Sequence, residues 1–236
     1  RGKSRAALFE LLDTYQDSLS IPVPGSVVPP FNAWIVPPTY PQAAQAWTEL
    51  LAFVPHAWRS RDPLQDKMTM YLNGNQNRSW GQISVVSANN PDGLQTAGLD
   101  FLWVTEAQEI SDLAFQRLRP MLIAPHRLGR AIWEGIPALS AAPWWWKMCD
   151  FAEATGNEDY FYSHGTAYEN PFLTPEQIEE IETDRLLFPD AAWRRMYLAE
   201  RSESAGFFRN INACTAGDLL PGPLPGSRYV AGLDLG

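Results

Sequence analysis

The sequence predicts an α/β fold, a mostly parallel sheet flanked by helices, and two observations carry that expectation. Short apolar runs such as Ala33-Trp34-Ile35-Val36, and Leu99 to Val104 after it, read as strands buried on both faces of a sheet. Segments with helical spacing separate them, so strand and helix patterns alternate along the chain. The 236 residues suffice for one good-sized core but not for two full enzyme domains.

Taken in order, residues 4–17 set Ala7, Leu8, Leu11, Leu12 and Tyr15 on one helical face before Pro22, Pro24 and Gly25 stop the pattern. The Ala33–Val36 strand follows, then helical spacing from Pro41 to Phe53. Residues 67–88 alternate around Asn73-Gly74, the signature of a hairpin or of two short strands. Leu99–Val104 ends at Thr105-Glu106 and leads into a helix through Arg117. A further strand is expected over Ile132–Ser140, and a helix from Trp144 to about Ala154. Phe161–Thr166 reads as a strand leaving into a loop. Thr174-Pro175-Glu176 is a helix start with Thr as N-cap and Pro in the first turn, and another helix is expected over 189–200. Residues 216–227 have the Pro/Gly composition of a linker, and Tyr229–Asp234 resembles the first strand of another domain.

Composition narrows the function classes. A hydrophobic fraction of 45% with 19% charged residues is globular, and no apolar run approaches the ~20 residues needed to cross a bilayer, so a soluble, non-exported protein is expected. The net charge of −9 is the wrong sign for a module that coats itself in phosphate contacts. Basic residues cluster locally at Arg59, Arg61 and Lys67 and at Arg117, Arg119, Arg127 and Arg130, as a cationic strip or as solvated surface. Cys149 and Cys214 lack metal-ligand spacing, and His56, His126 and His164 have no Ser or Cys partner that would make a nucleophilic triad. Trp144-Trp145-Trp146 is expected to pack in the core rather than to stack bases.

Two constellations carry chemistry. Gly2-Lys3-Ser4 at the head of an amphipathic helix matches the back half of G-x-x-x-x-G-K-[ST]: in that loop the helix N-terminus cradles phosphates, the Lys reaches the β and γ oxygens, and the hydroxyl binds Mg2+. Alone, the tripeptide is equally a surface helix start. Glu106 follows an apolar strand, where a carboxylate can polarise an attacking water; it is also suited to complement a helix N-terminus. The position before it, where a Mg2+-facing acid is usual, holds Thr105, whose hydroxyl can reach the metal only through water.

The order of these pieces identifies them better than any one of them. Gly2-Lys3-Ser4, Trp34-Ile35-Val36-Pro37-Pro38-Thr39-Tyr40-Pro41-Gln42, Ser87-Ala88-Asn89-Asn90-Pro91-Asp92-Gly93-Leu94-Gln95, Glu106, and Ser163-His164-Gly165-Thr166-Ala167-Tyr168-Glu169-Asn170-Pro171 together resemble the large subunit of phage terminases across essentially the whole chain.

The resemblance implies a P-loop NTPase fold of the ASCE/RecA-like kind, incomplete at its N-terminus, over residues 1–200, a linker over 201–227, and the first strand of an RNase H-like nuclease domain over 228–236. It implies ATP and Mg2+ as cofactors, with Gly2, Lys3 and Ser4 on phosphate and metal, Glu106 on the catalytic water, and Gly165-Thr166 coupling nucleotide state to DNA movement. Asp234, in Gly232-Leu233-Asp234-Leu235-Gly236, would be one metal-binding acid of the nuclease. Implied partners are double-stranded DNA, a portal protein, a terminase small subunit and further copies in a ring, with no membrane. The implied location is the host cytoplasm and, transiently, the viral procapsid. Gln95 stands where relatives often carry an Arg acting in trans, and Arg117, Arg119, Arg127 and Arg130 are the available substitutes. With only part of the phosphate loop present, the chain as given is expected not to hold a triphosphate by itself. Two alternatives stay open: a non-catalytic, truncated or degenerate scaffold that binds DNA or protein, and another nucleic-acid-dependent P-loop translocase.

Overall fold

The structure, a computed structural model, describes residues 2–20, 29–75, 80–95, 98–137 and 143–201. Its elements run in chain order α1 (Gly2–Ser20), β1 (Phe31–Val36), α2 (Tyr40–Phe53), β2 (Thr69–Asn73), β3 (Trp80–Val85), β4 (Phe101–Val104), α3 (Asp112–Leu118), β5 (Arg130–Trp133), α4 (Pro143–Ala154), α5 (Pro175–Leu187) and α6 (Asp190–Leu198). Among the described residues the strands form one five-stranded sheet ordered β2-β3-β1-β4-β5. Every pairing is parallel except the β2–β3 hairpin. The predicted α/β class is therefore what forms, with Asn73 closing β2 as the Asn-Gly signal implied.

Alternation along the strands sorts the core into two layers, because successive side chains of a strand point to opposite faces. Ala33 and Ile35 of β1 with Phe101 and Trp103 of β4 pack under α1 and α2, where they meet Leu8, Leu11, Tyr15, Trp47 and Leu50. Trp34 and Val36 with Leu102 and Val104 face the other way, onto Ala114 and Leu118 of α3 and Trp144, Trp145 and Cys149 of α4. The central strands β1 and β4 are buried on both faces because each face has its own helical cover. This is why β1 and β4 are buried at every position rather than at every second one, with Asn32 the one polar side chain among them.

Local chemistry fixes the helix ends. Gln42 Oε1 accepts from the Thr39 backbone N–H at 3.1 Å ahead of α2, and the Ser111 hydroxyl accepts from Ala114 N–H at 3.2 Å ahead of α3. Thr174 and Gln177 exchange side-chain and backbone bonds at the start of α5, as the Thr-Pro pattern predicted. Trp144 stacks on Phe115 with ring centroids 4.3 Å apart, and its indole N–H bonds to the Ile110 carbonyl. The tryptophan run is thus core packing, as expected.

Two predicted strands come out differently. The last strand of the sheet is Arg130–Trp133 rather than Ile132–Ser140, so Glu134 lies just beyond a strand end instead of inside one. Phe161–Thr166 forms no strand. Its residues pair with no neighbour in the sheet, and Thr166 instead opens a 3-10 turn over Ala167–Glu169, its N–H bonded to Glu169 Oε2 at 2.8 Å. Apolar composition at Phe161 and Tyr162 mimicked a strand, but the sheet offers that segment no ladder to join.

The first compact unit of the chain covers Arg1–Ser202. The linker, the expected nuclease strand and Asp234 lie outside the described residues, as does Cys214.

Candidate active site

The carboxyl ends of parallel strands are where open α/β sheets bind ligands, and here the ends of β4 and β5 meet the first turn of α1. After Trp133 the Glu134 backbone is held on both sides: its N–H donates to Val104 O at 3.0 Å, and its carbonyl accepts from Ala107 N–H at 2.8 Å. This fixes the Glu134 side chain beside α1. The Ser4 hydroxyl donates to Glu134 Oε1 at 3.1 Å, and the Lys3 ammonium donates to the Gly135 carbonyl at 3.1 Å. Gly135 leaves room for its neighbours: a Cβ there would lie 2.3 Å from Gln108 Oε1 and 3.2 Å from the Trp145 ring, so the Gln108 amide would have to shift.

Glu106 sits across from this pair, at the end of the neighbouring strand. Its backbone is left-handed, with φ 46° and ψ 48°, a region that costs a residue with a Cβ about 1–2 kcal/mol. Such strain persists only where the surroundings over-determine it, and it concentrates at functional sites. Gln108 does part of that work: its amide donates to Glu106 Oε2 at 2.7 Å while its Oε1 accepts from Ile136 N–H at 3.0 Å, tying the loop after β4 to the loop after β5. Gln108 is itself buried.

Burial raises the Glu134 carboxyl above its ordinary range. The Ser4 hydroxyl, the Lys3 charge and the nearby Trp103 indole pull it back down, and Glu106 pushes it up again. The indole approaches the carboxylate closely enough to favour the anion but without ordinary hydrogen-bond geometry. Trp103 Nε1 and Glu134 Oε2 are therefore both buried without a hydrogen-bond partner. A buried carboxylate oxygen left unsatisfied costs the protein about 1–3 kcal/mol.

Hard oxygen donors, the Ser4 hydroxyl and the Glu134 carboxylate that accepts from it, are the donor chemistry Mg2+ prefers when it shares its shell with phosphate and water. The residues present therefore fit the metal that the phosphate-loop pattern implies. Thr105 follows β4 with its N–H bonded to Val36 O at 3.2 Å and brings no charge.

Of the residues marked in the sequence, Lys3 and Ser4 meet Gly135 and Glu134 beyond β5, Thr105 stands level with Glu134 on the neighbouring strand, and the Glu106 charge acts on Glu134, whereas Thr166, next to Gly165, is bonded within its own turn. Asp234 lies outside the described residues. Glu134 was missed, although an acid directly after Ala131-Ile132-Trp133 repeats the pattern of Glu106 after its own strand; the overlong strand expected there hid it.

Among the described residues the arginines of the two basic clusters all have partners. Arg127 is buried against Asp100 at 2.6 Å, Arg130 bridges Glu10 and Asp17, Arg117 pairs with Asp92, and Arg119 donates to the Tyr160 hydroxyl. Arg59 donates to the Leu51 and Val54 carbonyls, and Arg61 lies over the Tyr71 ring. As a substitute for an arginine acting in trans, Arg127 is already committed.

A parallel sheet with Lys and Ser at the head of a helix, facing acids at the ends of two adjacent strands, defines a nucleotide-hydrolysing α/β domain. The phage terminase large subunit family matches residues 64–200, more than half of the 236 residues, and the chain belongs to that family. Its fold is similar to that of the large terminase ATPase domain of Thermus phage P74-26, with a TM-score of 0.66 at 20% identity over 85% of this chain and 84% of that one. A large terminase from a thermophilic bacteriophage, solved in complex with ADP, matches 72% of this chain and 40% of its own length, with a TM-score of 0.54 and 12% identity. The HK97 bacteriophage large terminase matches 80% of this chain and 43% of its own length, with a TM-score of 0.55 and 11% identity. No match is found among curated proteins. Among the described residues no helix is long and apolar enough to cross a membrane.

Proposed function

We infer that this chain contributes the ATP-hydrolysing site of a viral DNA-packaging motor. The observation that carries the reading is the meeting of Lys3 and Ser4 with Glu134-Gly135 beside Glu106 at the carboxyl edge of the sheet. In this reading the Lys3 ammonium sets its charge against the β and γ phosphate oxygens, and the first N–H groups of α1 add the positive end of the helix dipole. Mg2+ bound by the Ser4 hydroxyl would neutralise charge on the same oxygens. Glu106 accepts a hydrogen bond from a water in line with the terminal phosphorus and takes its proton as the new P–O bond forms. The β–γ bridging oxygen leaves with the electron pair, giving ADP and inorganic phosphate. The strained backbone of Glu106 and its bond to Gln108 hold that carboxylate in one orientation before substrate arrives, which lowers the reorganisation needed at the transition state.

The wider reading follows the family. Double-stranded DNA is the translocated substrate. The portal protein, the small subunit and further copies of the chain in a ring are the partners, at the procapsid in the host cytoplasm. Gly165 and Thr166 relay nucleotide state to DNA movement, and Gly232-Leu233-Asp234 opens a nuclease domain. The ADP complex of the thermophilic phage enzyme supports nucleotide as the ligand.

Equilibrium titration of the complete protein with a fluorescent ATP analogue and Mg2+ tests the core of this. Lys3→Ala should abolish binding, and equal binding by variant and wild type would overturn the phosphate assignment.

A further inference from the structure

In the terminase reading on which this inference rests, a metal-facing acid is wanted at the residue before Glu106, and Thr105 supplies none. β4 and β5 are adjacent and parallel, with Val104 opposite Trp133, so the next residue on each strand, Thr105 and Glu134, stands at the same level. Neighbouring strands are about 4.8 Å apart. An acid moved one strand sideways therefore needs extra reach to arrive at the same point, and Glu has one methylene more than Asp.

Alternation puts the Glu134 side chain on the same face as Ile132, which packs with the α1 layer, so it points toward α1. There its Oε1 accepts from the Ser4 hydroxyl at 3.1 Å. An acid that accepts from a metal-ligating group orients that group and adds charge behind it. Its second oxygen is buried and makes no hydrogen bond, with the Trp103 indole close to the carboxyl, so Ser4 is the one hydrogen-bond partner of this carboxylate among the described residues. The backbone of Glu134 is pinned to Val104 and Ala107, which leaves the side chain little choice of direction.

We propose that Glu134 is the Mg2+-positioning acid of this site: it supplies from β5 the negative charge that Thr105 does not supply from β4, and it holds the Ser4 hydroxyl in place. Glu106 keeps the separate task of orienting the attacking water, so the two acids of the site sit on two strands rather than side by side on one.

The test measures nucleotide affinity of the complete protein with a fluorescent ADP analogue, as a function of Mg2+ concentration, for wild type, Glu134→Gln, Thr105→Asp and the double variant. Metal affinity should fall roughly tenfold to a hundredfold in Glu134→Gln, read as an upward shift of the Mg2+ midpoint, while affinity without Mg2+ is unchanged or tighter. Thr105→Asp in the Glu134→Gln background should bring the midpoint back toward wild type. A Glu134→Gln midpoint equal to wild type, or a double variant that stays at the Glu134→Gln midpoint, overturns the proposal while leaving the ATPase reading intact. A wild type that binds no nucleotide at any Mg2+ concentration overturns both.

Discussion

The two ends of the parallel strands treat their buried charges in opposite ways. At the amino end, Asp100 precedes β4 and is fully satisfied: it accepts from Arg127 at 2.6 Å, from Asn32 N–H at 3.0 Å and from Leu128 N–H at 3.4 Å. Asn32 extends the network, donating to the Gly98 carbonyl and accepting from Gln82. The Asp100 side chain is 0% exposed and that of Arg127 is 7% exposed. At the carboxyl end, Glu134 has one oxygen on Ser4 and one with no hydrogen bond, and Glu106 sits in strained backbone. A closed network stabilises the fold, whereas an open one keeps donors and acceptors free for a ligand. The same sheet thus carries its structural ion pair and its candidate chemistry at opposite edges.

The largest effect that tests this contrast is at the amino end. Asp100→Ala leaves the Arg127 guanidinium buried without its partner and should cost about 3–5 kcal/mol in denaturant unfolding. A loss below 1 kcal/mol would mean that water reaches the pair and that this end is not closed.

Catalysis comes next. Glu106→Gln should keep nucleotide binding and lower ATP turnover at least about a hundredfold. Retained hydrolysis would remove Glu106 from the water-orienting role. Glu106→Gly should lose turnover as well, yet unfold no more easily than wild type and gain up to about 1 kcal/mol, since glycine adopts φ near 46° without a Cβ penalty.

At the open end, Glu134→Gln removes a charge from a site that half-solvates it. The nucleotide-free protein should therefore gain about 0.5–1 kcal/mol, the usual sign at a functional position. A destabilisation matching that of Asp100→Ala would make the two ends alike and defeat the comparison.

The smallest effect is kinetic. Burial pushes the Cys149 thiol up to about 11, so at pH 7–8 the native protein holds it protonated, and it should alkylate far more slowly than an unfolded chain. Because Cys149 lies among the buried residues of α4 together with Trp144 and Trp145, its alkylation rate in Asp100→Ala, read in a Cys214→Ser background, reports whether damage at the amino end opens the α4 layer too. An unchanged rate would confine the damage to one edge of the sheet.

Much of this was legible in the residues themselves. The unbroken apolar runs Ala33–Val36 in β1 and Phe101–Val104 in β4 announced a doubly covered parallel sheet, because strands flanked by helices on both sides need no polar face. The Thr174 cap is encoded by neighbours in sequence and forms where expected, and β2 ends at Asn73, just ahead of Gly74. Lys3, Ser4 and Glu106 were marked because their chemistry follows from residue type at a helix start or a strand end. What stayed hidden depends on residues far apart in the chain. Arg127 read as a surface cation until the fold brought it to Asp100, and Glu134 read as mid-strand until β5 ended one residue earlier.

Sequence by itself determined the fold class, the helix starts and the kinds of residue able to meet phosphate and water, since periodicity and capping act over a few residues. Tertiary structure alone decided which acid stands behind Ser4. The choice between Thr105 and Glu134 depends on the register of two strands and the approach of a helix 130 residues away, and no local pattern records either.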